Sequence, residues 1–384
     1  MNVSIFISRR LRFKNGLAMT CIAISYLVMI VAVAISAGFR NEIRGGLSAY
    51  AGDVQLTPPN LNVLDQSRPI ERSPSYLPYI SEIEGVASVE PAVYMAGIIR
   101  LENDIHGVLF KGTSSQMGGV SIPSRLSEIS GLKVGDRMTA YFIGDRVRVR
   151  KFDIVSVYES MVEADDRLMV YADMTDLQRL NGWSEEQVSA MEIVLDPSRK
   201  DELTIQEITQ EIGAMVSGYS SESESPVVAV SSVSRFPQLF DWLGLIDLNV
   251  LVILLLMTVV AGFNMISGLL IMLFENISTI GLLKALGMND RSISKVFLSS
   301  AARLVLKGLF IGNAVAMAFV TLQSRTHFLK LDPENYFVSF VPVKINVGAV
   351  MLADIMSFAV IMLLLLIPTM FISKVDPART VRMK

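Results

Sequence analysis

The stretch LNVLVILLLMTVVAGFNMISGLLIML, residues 248–273, contains no charged residue and decides the class of fold. A helix rises about 1.5 Å per residue, so a helix of this length crosses about 30 Å of hydrocarbon. We predict a transmembrane helix over residues 246–274. Three further apolar runs satisfy the same criterion, at residues 17–38, 298–320 and 347–372. The sequence therefore predicts four transmembrane helices.

A polar stretch of about 200 residues, 39–245, separates the first two predicted spans and is long enough to fold as a domain. Its two ends alternate helical and strand patterns, whereas residues 102–172 read almost entirely as strands with glycine-marked turns. We therefore predict a membrane α-helical protein with an α+β extracytoplasmic domain, into which a β-rich subdomain is inserted.

The distribution of charge predicts the topology. The chain has 34 Lys+Arg and 37 Asp+Glu, and a net charge of −3 does not attract nucleic acid. Basic residues lie in segments 1–16 and 373–384, so both termini are expected in the cytoplasm. Segment 275–297 is then cytoplasmic, and segment 321–346 lies outside with the large domain. The single cysteine, Cys21, falls in the first span, so the outer domain is expected to fold without a disulfide.

The sequence contains none of the motifs that would make this chain an enzyme. It has no phosphate-binding loop, and the glycines of residues 131–136 lie among strands, where a turn is expected. His106 and His327 are far apart in sequence and have no histidine at helical spacing, so we predict no metal site. We nominate no catalytic residue and expect no nucleotide hydrolysis by this chain.

The polar residues inside the predicted spans include Asn264, Arg303, Lys307 and Asp354. Such groups cost free energy in lipid unless they pair or extend to the interface. Arg303 and Lys307 lie near the cytoplasmic end of the third span and Asp354 near the outer end of the fourth. We interpret them as extending to the interface, because a proton relay would need a chain of such groups.

The segment ENISTIGLLKALG, residues 275–287, connects the second and third spans. Ile280, Leu283, Lys284 and Gly287 fall at helical spacing, which indicates a short amphipathic helix with one apolar side. Such a helix suits insertion into a groove on a partner protein, and it equally suits a position flat on the membrane. The pattern alone leaves both interpretations open.

Several motifs together resemble the FtsX-like, MacB-type permeases of ABC transporters, and among these the lipoprotein-releasing permeases (LolC/LolE type) most. The resemblance extends over the whole chain and is most specific at residues 264–287. The matching segments are FNMISGLLIM (263–272), Glu275, IGLLKALG (280–287), ISRRL (7–11), LKVGD (132–136), residues 336–342, IPTM (367–370), DPAR (376–379) and Arg382.

This resemblance implies a permease in the inner membrane that pairs with a second copy or a paralogue and binds two copies of a separate cytoplasmic ABC ATPase. ATP and Mg would bind to that ATPase, and this chain would hold no cofactor. The outer domain would correspond to the MacB-like periplasmic core domain. The substrate would be a lipoprotein, which is expelled to a periplasmic carrier.

The resemblance also suggests site residues. The connector would couple the ATPase to the spans through Glu275, Ile280, Gly281, Leu283, Lys284, Ala285, Leu286 and Gly287, with the two glycines allowing close approach. Residues at helical spacing on the first two spans are candidates to line the substrate path, and ordinary packing or lipid contact is the alternative for each. They are Met29, Ile30, Val33, Leu256, Val259 and Phe263.

One segment departs from the family, because the stretch between Thr113 and Ile122 is shorter than the family usually carries. Part of the β-rich subdomain is therefore expected to be reduced. Two other functions fit the same family: a MacB-like exporter of peptides or drugs, and an FtsX-like mechanotransmitter that activates a periplasmic hydrolase.

Overall fold

The computed structural model describes residues 16–59, 68–100, 105–115, 118–143, 147–159, 168–332 and 336–370. The predictions for residues 1–15 and 371–384, including the basic segments and two of the matching motifs, lie outside the described residues. The chain divides into two compact units. The helical unit comprises the described residues of 1–40, 242–330 and 340–384, and the sheet unit those of 41–241 and 331–339.

Eleven α-helices, one 3₁₀ helix at Pro197–Arg199 and eleven strands are assigned within the described ranges. The helices are α1 Gly16–Ala51, α2 Leu77–Ser81, α3 Ser124–Ser130, α4 Met174–Asn181, α5 Glu202–Tyr219, α6 Ser232–Arg235, α7 Pro237–Glu275, α8 Ile277–Ala285, α9 Asp290–Thr326, α10 Val347–Leu364 and α11 Leu366–Thr369. The strands are β1 Val54–Thr57, β2 Ile70–Glu71, β3 Val86–Arg100, β4 Ile105–Thr113, β5 Val120–Pro123, β6 Arg137–Phe142, β7 Arg148–Tyr158, β8 Leu168–Asp173, β9 Gln187–Val188, β10 Ala190–Leu195 and β11 Val228–Ser231.

Four helical segments among the described residues are long and apolar enough to cross a membrane: α1, α7, α9 and the pair α10–α11. Within the helical unit these segments and α8 contribute to one apolar core. This core includes Tyr26 of α1, Met265 of α7, Phe297 of α9 and Ile361 of α10. The packing of all four around shared side chains supports the predicted membrane α-helical class.

The sheet unit contains a nine-stranded sheet in the order β11-β1-β10-β3-β4-β8-β5-β7-β6, in which β6 also pairs with β3. That last pairing closes β3, β4, β8, β5, β7 and β6 into a six-stranded barrel. Residues 86–92 of β3 pair with β10, whereas residues 93–100 pair with β4. The β-rich subdomain therefore begins inside β3, slightly before the predicted start at residue 102.

Three phenylalanines fill the interior of the barrel. The ring centroid of Phe110 lies 4.9 Å from that of Phe142 and 5.5 Å from that of Phe152. All three side chains are buried. Aromatic rings at such distances contribute beyond their buried area. The sequence predicted residues 102–172 almost entirely as strands, whereas the structure contains the helix α3 within this region.

Helix α5 in the sheet unit has one buried apolar face. Ile205, Ile208, Ile212 and Val216 form this face at helical spacing. The N-cap is Asp201, whose side chain accepts a hydrogen bond from the Thr204 backbone N–H at 3.0 Å. This bond and one from the Thr204 hydroxyl hold the pKa of the Asp201 carboxyl below its usual value.

We expect Asp201→Ala to destabilise α5 by about 1 kcal/mol, the usual cost of a lost N-cap. Because the folded pKa is lowered, the cap contributes fully above the ordinary carboxyl pKa and is lost as the pH falls through the lowered value. Hydrogen exchange of the α5 amides measures this difference. The Asp201→Asn variant keeps an acceptor, so it should retain most of the protection without the pH dependence. Equal protection of wild type and Asp201→Ala at neutral pH would contradict the prediction.

Candidate functional site

The connector helix α8 packs through one face into the apolar core of the helical unit, of which it is part. Ile280 is 1% exposed and lies in the same apolar core as Ile293 and Phe297 of α9. Gly281 is also buried, and Leu283 packs against that core. The face predicted to be offered to a partner through Ile280 and Leu283 is therefore turned inward.

The opposite side of the connector is exposed and apolar. Leu282 is 54% exposed and Leu286 is 75% exposed. Ala285 on α8 and Glu275 at the end of α7 are also exposed. We call Leu282, Ala285 and Leu286 the connector ridge. The sequence did not predict this orientation, because this nine-residue helix has apolar residues on more than one side. Periodicity alone therefore does not show which side faces the core.

Backbone and side-chain bonds define the end of the connector. Gly287 has a φ of +85°, and its N–H donates to the Lys284 carbonyl while that of Met288 donates to the Leu283 carbonyl. This glycine-ended helix terminus is a Schellman motif, which requires a left-handed residue. Lys284 pairs with Asp290 at 2.9 Å. The sequence analysis grouped residues 275–297 in one segment between the spans. Helix α9 begins at Asp290, so residues 290–297 form its first two turns.

The candidate path residues fall into two environments. Met29, Ile30 and Val33 are buried in the described structure. Leu256, Val259 and Phe263 are exposed along α7. Only 6% of the most apolar 18-residue stretch of α7 is buried, against 44% of the corresponding stretch of α1. The described chain therefore does not bring the six side chains together: the α1 residues pack, and the α7 residues face outward.

Within the sheet unit, a buried lysine binds the end of α1. Lys111 Nζ donates to the carbonyl oxygen of Tyr50 at 2.8 Å and to that of Ala49 at 3.3 Å. It also pairs with Glu192 Oε2 at 2.8 Å. The last carbonyls of a helix have no intrahelical partner and carry partial negative charge, so a cation is favourable there.

The carboxylate of Glu192 is bound on its other oxygen as well. The hydroxyl of Tyr94 donates to Glu192 Oε1, and Gln55 Nε2 donates to the Tyr94 oxygen at 3.1 Å. Burial, and then the charge of Glu192, raise the pKa of Tyr94 well above its ordinary value. This network keeps both the lysine and the carboxylate hydrogen-bonded in an otherwise apolar environment.

A second lysine holds the same turn of α1. Lys200 Nζ donates to Ser48 Oγ at 2.6 Å and pairs with Asp53 Oδ2 at 3.1 Å. Asp53 also accepts from the backbone N–H of Leu195 at 2.8 Å. Sequence analysis missed both lysines because their partners lie far along the chain. The only local signal was a charge inside an apolar strand, as at Lys111 and Glu192.

The helical unit also links α1 to α7 directly. Asp247 of α7 accepts a 2.7 Å hydrogen bond from Ser36 Oγ and forms an ion pair with Arg40. The rings of Phe39 and Trp242 stack edge to face with centroids 5.4 Å apart. These contacts hold α1 and α7 together within the helical unit. Residues 41–51 of α1 and 237–241 of α7 belong to the sheet unit.

Together these features define a polytopic membrane protein of the permease class. It has four apolar spans, an exposed connector between two of them, and a sheet unit that holds the end of the first helix. A profile of the MacB-like periplasmic core domain matches residues 16–211, which is half of the chain, and a profile of the FtsX-like permease C-terminal region matches residues 251–377. The chain belongs to the FtsX-like, MacB-type permeases of ABC transporters.

Two similar proteins match nearly end to end. One is the lipoprotein-releasing system transmembrane protein LolC of Neisseria meningitidis, 22% identical over 96% of this chain and 94% of the relative. The other is the lipoprotein-releasing system transmembrane protein LolE of Haemophilus influenzae, 21% identical over 99% of both chains. The periplasmic region of MacB from Actinobacillus actinomycetemcomitans aligns with 12% identity over 49% of this chain and 93% of that chain. Its TM-score of 0.31 is too low to add to the argument.

Proposed function

We propose that this chain is the permease subunit of an ABC transporter that extracts lipoproteins from the inner membrane and releases them. The observation that carries the proposal is the similarity to two lipoprotein-releasing permeases over at least 94% of every chain compared. Similarity of that extent includes the spans, the connector and the sheet unit, and is not confined to one shared domain. In this proposal the sheet unit is periplasmic and α8 is cytoplasmic.

Lipoprotein extraction needs external work. Removing an acyl chain from a bilayer costs about 0.8 kcal/mol for each buried CH₂ group, so a lipid anchor does not leave spontaneously. This chain carries no nucleotide-binding motif in its sequence. We therefore propose that two copies of a cytoplasmic ATPase, which bind ATP and Mg, supply the work. A second permease, identical or paralogous, would complete the complex, and a periplasmic carrier would accept the lipoprotein.

The connector ridge is the proposed ATPase contact. Apolar side chains exposed by 54% and 75% at Leu282 and Leu286 present a small anchor of the kind that fills a groove on a partner. Behind the ridge, Ile280 packs into the helical core. A force applied to the ridge would therefore reach α9 through direct packing.

The work is proposed to reach the sheet unit through α1 and α7. Helix α1 contributes residues 16–40 to the helical unit and residues 41–51 to the sheet unit. Lys111 and Lys200 bind its last turns, and Asp247 ties it to α7. In the proposed cycle, movement of α1 is passed to the sheet by these bonds.

The test is ATP-dependent release in proteoliposomes that contain the chain, the second permease and the ATPase. The expected result is a lipoprotein that leaves the vesicles only when ATP is added. ATP-dependent export of a soluble peptide or drug instead would favour a MacB-like exporter. Activation of a bound periplasmic hydrolase without release would favour a mechanotransmitter.

We expect Leu286→Glu to weaken ATPase binding at least about tenfold, which corresponds to about 1.4 kcal/mol, because it puts a charge on the connector ridge. Co-purification and an affinity titration with the ATPase measure the effect. The matched control is Leu203→Glu on α5, where the leucine is 72% exposed outside the ridge. Equal ATPase affinity in both variants would remove the ridge from the proposal.

A further inference from the structure

Two buried oxygen atoms in the helical unit lack a hydrogen-bond donor. They are Oδ1 of Asn313 on α9 and Oδ1 of Asp354 on α10. The other oxygen of the same carboxyl group, Asp354 Oδ2, accepts a hydrogen bond of 2.6 Å from Asn313 Nδ2. Asp354 thus faces its partner across two helices, and this contact is different from the predicted extension to the interface.

An ionised carboxylate does not fit this environment. Both oxygens of a carboxylate accept hydrogen bonds, and an amide oxygen also accepts, so the two Oδ1 atoms cannot satisfy each other. Leaving two buried acceptors without donors carries a large desolvation cost. Among the described residues, no lysine or arginine forms an ion pair with Asp354.

A proton on Asp354 Oδ1 turns this oxygen into a donor, and it also gives Asn313 Oδ1 the donor that it lacks. We propose that Asp354 is protonated in the folded protein and forms a reciprocal pair with the Asn313 amide. In this pair Asn313 Nδ2–H donates to Asp354 Oδ2, and Asp354 Oδ1–H donates to Asn313 Oδ1. The carboxylate takes up one proton from a hydronium ion of the solvent and becomes a neutral carboxylic acid, which leaves one water molecule.

Two uncharged polar side chains, Tyr26 and Ser357, lie close to the pair. Tyr26 of α1 is fully buried and shares a 3.3 Å hydrogen bond with Ser357 of α10. The nearest basic residues before Asn313 on α9 are Lys307 and Arg303, six and ten residues earlier, or about 9 and 15 Å along the helix. The site therefore fits a proton better than a charged carboxylate, and the pair joins α9 to α10 without a charge in the span.

The direct test is infrared spectroscopy of the full-length protein in lipid at pH 7. The difference spectrum between wild type and Asp354→Asn should show the carbonyl band of a protonated carboxylic acid in the wild type. This carbonyl band should remain when the potassium salt of the buffer is replaced by the sodium salt. A carboxylate band of the wild type in that difference spectrum, in place of the carboxylic acid band, would overturn the proposal, and so would a difference signal that depends on sodium, which would indicate a cation site.

Two variants of Asp354 distinguish a neutral hydrogen-bonded pair from a role that requires a charged carboxylate. Asp354→Asn keeps one donor and one acceptor toward Asn313, so its melting temperature and its transport activity should equal those of the wild type. Asp354→Leu removes both hydrogen bonds and should lower the melting temperature. Loss of transport in Asp354→Asn with an unchanged melting temperature would contradict a neutral pair. The infrared result is independent of the cargo, so it can fail or hold whatever the transporter moves.

Discussion

Replacing Glu192 by leucine is expected to destabilise the sheet unit by about 3–5 kcal/mol, the cost of leaving a buried charge without its partner. Lys111 is 4% exposed and would lose the carboxylate 2.8 Å from its ammonium group. The Tyr94 hydroxyl would lose its acceptor at the same time. Thermal unfolding, and hydrogen exchange at residues 48–51 of α1, measure the effect.

Two controls distinguish a buried pair from a surface pair. The double variant Lys111→Met/Glu192→Leu removes both charges, so its loss should be clearly smaller than that of Glu192→Leu alone. Arg137 and Asp153 form an ion pair with side chains 73% and 59% exposed. Breaking it with Asp153→Leu should cost at most about 1 kcal/mol. If Glu192→Leu lowered the free energy of unfolding no more than Asp153→Leu does, the buried network would not stabilise the end of α1.

The second large effect is expected at Gly312, where α9 crosses α1. A Cβ atom there would lie 2.6 Å from the backbone oxygen of Ala23 and 2.8 Å from Cβ of Tyr26. The nearest atom belongs to the backbone, so α1 itself must move to accept a side chain. Small residues allow membrane helices to approach closely. We expect Gly312→Leu to destabilise the helical unit by about 3 kcal/mol, the upper end of the usual cost of overpacking.

The matched control is Gly244→Leu in α7, because a Cβ atom at Gly244 would meet nothing within 4 Å. That variant should melt at or above the wild-type temperature, since leucine favours a helix more than glycine does. Thermal melting of both variants in detergent gives the comparison. Equal melting temperatures would show that α1 and α9 do not depend on this close approach.

The neighbouring Gly308 supports the same interpretation. A Cβ atom there would lie 2.6 Å from Cγ2 of Ile22, one turn before Tyr26. Gly308 and Gly312 are four residues apart and therefore lie on one side of α9. The predicted third span lies within α9. The sequence assigned no role to these glycines, because spacing cannot identify the helix that packs on them.

The connector shows how far a local pattern can be used. The sequence correctly predicted a short helix between the second and third spans. Among the residues nominated to contact the ATPase, Ile280 packs into the core of the helical unit whereas Leu286 is exposed. The sequence could not distinguish them, because both are apolar and only that core selects the inner side. It also suggested that Gly287 allows close approach of a partner, whereas the positive φ of this residue ends the helix.

By itself, the sequence determined that there are four apolar spans, that an α+β domain lies between the first two, and that its middle is rich in strands. Apolar runs and two-residue alternation are local properties, so they can be seen without knowing any partner. Only the tertiary structure decided the closure of the barrel by β6 and β3, the binding of α1 by Lys111 and Lys200, and the pairing of Asn313 with Asp354. Each of these joins residues distant in sequence, and their energies depend on burial and geometry that no local pattern contains.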